Sequence, residues 1–169
     1  MEIKPWNVKL DTENIKTIET LIGSTLPQEY IKFISEYNGG TVDDNIIFLV
    51  NSEIESISIS EFLGFGYESN FDVNETYFVL KGALPEQCVP IANAEGGNVV
   101  FINLNVDNYG SVYLWDHETE DTYYIAKDFS IFIQMIRDYH PEDEDLNGYE
   151  ILDVWIDPDF LNELERSDD

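Results

Sequence analysis

Cys88, His117 and a neighbouring aspartate are the residue types of a thiol nucleophile, its general base and the group that orients the base. Their settings argue against that use. Cys88 stands in Gln-Cys-Val-Pro, leading into an apolar run, where a buried and inert thiol is expected. His117 stands in Trp-Asp-His-Glu at the start of a polar turn, where an imidazole is solvated. Zinc sites draw on clustered His and Cys, yet the chain has two histidines, His117 and His140, one cysteine, and neither CxxC nor HExxH spacing. Asp43-Asp44-Asn45 and Glu142–Asp145 offer hard oxygen ligands. Neither has the alternating spacing and following glycine of a calcium loop, so both read as solvated acidic turns. Paired carboxylates could hydrolyse a glycoside, but among 35 acidic residues some pair always fits, so the pattern carries no information. Gly64-Phe65-Gly66 lacks the third glycine of a dinucleotide fingerprint, and Glu95-Gly96-Gly97-Asn98 is a tight turn with no phosphate-gripping lysine after it. No catalytic residue, cofactor or metal is expected, and the chain reads as a non-enzyme.

What the residues do supply is charge. The chain of 169 residues carries 35 Asp and Glu against 8 Lys and Arg, a formal net charge of −27. The basic residues are scattered singly. Nucleic-acid binding depends on Lys and Arg displacing counterions, so it is excluded as a function class. A basic protein partner is attracted instead. Hydrophobic residues at 43% provide for a real core, so the charge does not imply disorder. The N-terminal run MEIKPWNVKLDTEN has no apolar centre, and Ile46–Val50 falls far short of the ~20 residues that span a bilayer. A cytoplasmic protein without a membrane segment is expected.

The elements that must position these groups follow from spacing. Ile15, Ile18, Leu21 and Ile22 mark one helix face between cap-type Asp11-Thr12 and Gly23. A second helix begins near Thr25 or Leu26 with Pro27 in its first turn. Tyr30, Phe33, Ile34 and Tyr37 follow as a buried stripe, and Asn38-Gly39-Gly40 stops it. Then the period changes. Ile46–Val50, Ile54–Ser60, Thr76–Leu80, Val89–Ala92, Val99–Leu104, Ser111–Asp116 and Thr122–Ala126 read as strand candidates, joined mostly by short polar turns. Asp128 or Ser130 caps a further helix carrying Phe129, Phe132, Ile133 and Ile136. Helices at both ends of a run of strands predict an α+β fold, an antiparallel sheet of about five or six strands with helices packed against one face.

Residues 1–139 read as that one domain. Residues 140–169 read as an acidic C-terminal extension with a short helix after Asp157-Pro158. Its Trp155, Phe160, Leu161 and Leu164 predict docking on the same domain, with a partner or dimer surface as the alternative.

The stretch LPQEYIKFISEYNGG resembles the signature of the SUKH superfamily in its Smi/Knr-like branch, through Leu26, Pro27, Tyr30, Phe33, Asn38, Gly39 and Gly40. The block CVPIANAEGGNVVFINLNVDNYGSVYLWDHE is similar to the same pattern through Pro90, Gly96, Gly97 and Trp115, and FSIFIQMI resembles the family's closing helix. Order and spacing agree across residues 8–139. The resemblance implies an α+β scaffold without an active site. Many bacterial members are immunity proteins that bind a toxin, and yeast relatives are interaction proteins in cell-wall regulation. The chain is therefore expected to neutralise a cognate, basic toxin such as a nuclease. The alternative is a regulatory scaffold of the same fold. A monomer or weak homodimer is expected. Rigid aromatics anchor and acids steer, so the expected contacts are Phe65, Tyr67, Glu68, Phe71, Asp72 and Glu75, then Asp116, Glu118, Glu120 and Asp121.

Overall fold

A computed structural model of the chain describes residues 2–48, 56–67 and 71–138. The expected C-terminal extension and its docking lie outside the described residues, as does Glu68.

The opening helices form where caps and apolar spacing agree. α1 (Thr12–Ile22) starts at Asp11, whose carboxylate accepts from the Glu13 amide, and ends at left-handed Gly23. Ile15, Ile18 and Ile22 turn inward. α2 (Gln28–Glu36) starts after Pro27, which is itself the N-cap, so Thr25 and Leu26 precede the helix rather than open it. Tyr30 and Ile34 are fully buried, while Phe33 and Tyr37 are half-buried and pack on each other at 5.2 Å.

The strands form a meander: β1 (Ile3–Pro5), β2 (Gly40–Phe48), β3 (Ser56–Phe62), β4 (Cys88–Ala94), β5 (Val99–Asn103), β6 (Val112–Trp115) and β7 (Thr122–Ala126). They lie in that order across the sheet, each antiparallel to the next. A short β8 (Arg137–Asp138) pairs with β2. The class is α+β, and the sheet is wider than expected. β1 and β8 are too short to show any alternation in sequence.

Thr76–Leu80 is not a strand. It belongs to α3 (Val73–Val79) and the residue that follows it. Asp72 caps this helix, and Val73, Thr76, Tyr77 and Leu80 recur at helical spacing. α4 (Phe129–Met135) is capped by Asp128, whose carboxylate accepts from the Ile131 amide at 2.8 Å.

The main core joins α1, α2 and α4 to one face of the sheet, with Ile18, Tyr30, Ile34 and Phe132 against Ile59, Ile91, Val100, Ile102 and Leu114. A smaller cluster, Leu84, Cys88, Val99, Phe101 and Trp115, lies on the opposite face. β4 and β5 are thus buried on both faces, which is why they read as unbroken apolar runs.

Candidate partner-binding site

The segment after β3 owes its shape to two buried polar side chains. Asn38, just past α2, holds a left-handed φ of 42°. Its amide nitrogen donates to Phe65 O at 3.0 Å and Val8 O at 3.1 Å, and its Oδ1 accepts from Phe65 N at 2.8 Å. The Tyr67 hydroxyl donates to Asn38 O at 2.7 Å. Asp72 gathers four backbone N–H groups. Its Oδ2 accepts from Gly66 at 2.7 Å and Tyr67 at 3.0 Å, its Oδ1 from Asn74 at 2.8 Å and Glu75 at 3.1 Å. Gly64 lets the crossing close: a Cβ there would stand 2.4 Å from Asn38 O. Burial raises the Tyr67 phenol above its ordinary pKa, and the charge of Asp72 adds to the rise.

This geometry sorts the first group of expected contacts. Phe65 is fully buried and Asp72 is buried as a cap, so neither offers surface. Tyr67 is half-buried against Trp6, with ring centroids 5.2 Å apart. Phe71 also packs on Trp6, at 4.9 Å, and remains 36% exposed. Glu75 is exposed on the first turn of α3.

The second group is the β6–β7 hairpin turn. Asp116 N donates to Asp121 O at 3.0 Å and Glu120 N to Asp116 O at 2.8 Å. The Asp116 carboxylate accepts from Glu118 N at 2.8 Å and Thr119 N at 3.3 Å. Asp116 is half-buried in this role, whereas Glu118, Glu120 and Asp121 are exposed. Asn98 ties the turn to its neighbour. Its Oδ1 accepts from His117 N at 3.1 Å and lies 3.4 Å from His117 Nδ1. The imidazole rests over Gly97, where an added Cβ would meet the ring at 3.5 Å. A cleft of about 290 Å³ opens here, lined by Ser58, Glu95, Asn98, Asp116, His117 and Glu118 among others. None of these carboxylates forms an ion pair among the described residues; the pair described there is Lys16 with Glu13, at 2.6 Å. From Phe33 to Ala126 the sequence holds a single basic residue, Lys81.

Strand register keeps the two groups apart. Ile59 pairs with Ala94 and Val99 with Trp115, so the hairpin turn, Glu95 and the start of β3 share one end of the sheet. The Gly64–Asp72 segment follows the other end of β3, seven residues or roughly 20 Å away. The chemistry of the hairpin end is that of an anionic cleft with a neutral hydrogen-bonding floor. Among the described residues no group of three or more His, Cys, Asp or Glu is placed to hold a metal ion.

The signature residues serve the frame. Leu26, Tyr30 and Pro90 are buried, Pro27 caps α2, Gly39 and Gly40 form the crossing beside Asn38, Gly96 and Gly97 make the turn under His117, and Trp115 lies on β6. A family model described as SMI1 / KNR4 family (SUKH-1) matches residues 9–135. The chain belongs to this family. The SUKH-1 match closes at the end of α4. This SUKH-1 chain is also similar to the SPbeta prophage-derived uncharacterized protein YokK of Bacillus subtilis (strain 168). The two are 26% identical over 170 residues, covering 89% of this chain and 86% of the relative. Among the described residues no helix is long and apolar enough to cross a membrane.

Proposed function

We propose that this SUKH-1 protein is a cytoplasmic immunity protein that binds a cognate basic toxin, such as a nuclease, and blocks it without catalysing a reaction. The observation that carries the reading is the β6–β7 turn. Three exposed carboxylates, Glu118, Glu120 and Asp121, project from a backbone fixed by Asp116 and carry no cationic partner among the described residues. Preorganised charge of one sign steers an oppositely charged protein and fixes its register. Toxins that grip nucleic acid expose Lys and Arg, and such a turn complements them. The prophage origin of the YokK relative agrees with a gene carried on mobile DNA.

The test is to express the product of the adjacent open reading frame in a bacterial host, alone and with this chain. Killing alone and rescue together are expected. Reversing Glu118, Glu120 and Asp121 to Lys moves the formal charge from −27 to about −21 and should slow association at low salt by about tenfold or more. The salt dependence should flatten as well. A harmless neighbour or a failed rescue would discard the immunity reading in favour of a regulatory scaffold, and an unchanged on-rate would discard steering by this turn.

A further inference from the structure

Exposed apolar side chains border the cluster on the second face of the sheet. Cross-strand partners place Val99 beside Trp115, and Phe101 beside Tyr113, which is itself beside Tyr124. Phe101 stacks on Tyr113 at 5.6 Å, and Tyr113 meets Tyr124 edge-on at 5.5 Å. Leu80 and Leu84, at and beyond the end of α3, belong to the same cluster. Between α3 and these strands lies a cleft of about 350 Å³ whose lining includes Val79, Leu80, Asn93 and Val99. Apolar groups stand open at both sides, with Val79 79% and Tyr124 54% exposed.

Charge describes an occupant, and Trp115, 6% exposed within the same cluster, reports on whatever covers it. Glu61 lines the cleft, and the segment Gly82–Ala126, which supplies β4 to β7, holds seven carboxylates, all in its turns, and no lysine or arginine; Lys81 and Lys127 bracket it. A second copy of the chain would bring a like charge of −27 to this face. A cationic segment would be attracted.

We propose that this second face is the docking groove for an extended, basic segment of a partner protein. One apolar side chain enters the cleft beside Val79. A Lys or Arg lies on the Tyr124 ring, about 10 Å along β7 from Asp121 and within reach of the acidic turn. The inference rests on the immunity reading for the partner's role and names the surface that partner would use.

Panning a random dodecapeptide library on the full-length chain tests it. The selected peptides should pair Lys or Arg with a large apolar residue. The strongest, synthesised and titrated, should move the Trp115 indole N–H resonance, assigned with Trp115→Phe. Val79→Glu should weaken that peptide at least tenfold and Tyr124→Ala about fivefold. Val79 is largely exposed, so Val79→Glu should melt like the parent, while Tyr124→Ala gives up its edge contact with Tyr113 and should melt only slightly lower. Peptides without basic residues, an unmoved indole resonance, or full binding by Val79→Glu would overturn the proposal. So would self-association abolished by Tyr124→Ala, or an indole resonance that responds to removal of residues 140–169 and not to peptide. Rescue from the neighbouring toxin that survives both substitutions would remove the groove and leave the immunity reading standing. A neighbour that neither kills nor binds would remove the immunity reading whatever the peptides do.

Discussion

Replacing Asn38 by alanine should nearly unfold the domain, although one small side chain is lost. Asn38 is 3% exposed and serves Phe65 on both of its backbone groups, at 2.8 and 3.0 Å. Alanine leaves that N–H and C=O buried and unpaired, at about 1–3 kcal/mol each. It also loses the bond to Val8 O, and it must hold a left-handed φ that costs alanine about 1–2 kcal/mol. The sum is about 3–8 kcal/mol, against a total stability of about 5–15 kcal/mol for a domain. Urea denaturation followed by tryptophan fluorescence should show the midpoint falling by about 2 M or more, at a slope of about 1–3 kcal/mol/M. Asn38→Gly separates the two causes. Glycine accepts the left-handed conformation but offers no amide, so it should recover only about 1 kcal/mol. If glycine restores the parent midpoint, the side-chain network contributes nothing and Asn38 is present for its backbone alone. A midpoint loss under about 0.5 M in the alanine variant would refute both causes.

Other substitutions probe separate parts of the frame. Gly64→Ala should destabilise by at least about 3 kcal/mol, because the new Cβ meets the Asn38 backbone at 2.4 and 2.8 Å. Gly23→Ala, with φ 75° and nothing within 4 Å, should cost only about 1–2 kcal/mol; equal losses in calorimetry would dismiss the close crossing. Tyr30→Phe should leave stability unchanged or raise it by about 1 kcal/mol, since the Tyr30 hydroxyl is buried without a partner among the described residues. A fall of more than about 1 kcal/mol would show that a partner exists. Burial pushes the Cys88 thiol from 9.0 up to about 12. The folded chain keeps this proton where the unfolded chain releases it, so the contribution is intact below pH 9 and is lost as pH rises from 9.0 toward about 12. Cys88→Ala should show a shallower loss of stability over that window, and a thiol reagent at pH 8 should label the parent only after unfolding.

The parts of the fold legible in the sequence are those whose signals are local. Asp11, Gly23 and Asp128 mark helix ends by themselves, and the polar turns between β4, β5, β6 and β7 delimit the meander. β1 and β8 have three and two residues and exist only through their pairing with β2, so no run of residues announces them. α3 was legible and overridden. Asp72 and Glu75 stand in the spacing of a capping box ahead of helically spaced apolar residues, but Thr76-Tyr77-Phe78-Val79 favours strands by composition. The acidic hairpin was readable because turn chemistry and charge coincide there. The burial of Phe65 was not, because it depends on Asn38, 27 residues earlier in the chain. Nor was the apolar second face, since strands buried on both sides give no alternation to tell one face from the other.

The same division decides which residues can change without loss of the fold. The signature residues Tyr30, Asn38, Gly64's neighbour Gly39 and Trp115 are packed into the frame, where substitution disturbs many contacts at once. Glu118, Glu120, Asp121, Val79 and Tyr124 are exposed, and exposed positions usually tolerate replacement within about ±0.5 kcal/mol. Asp116 sits between these classes: it is acidic and half-exposed, but its carboxylate organises the turn that displays the others. Reversing Asp116 would therefore mix a loss of charge with a loss of shape, whereas reversing its three neighbours changes charge on an intact turn. Under the proposed function, a scaffold built this way would meet a different cationic partner by altering its turns and the open edge of its second face while Asn38, Asp72 and the core remain as they are.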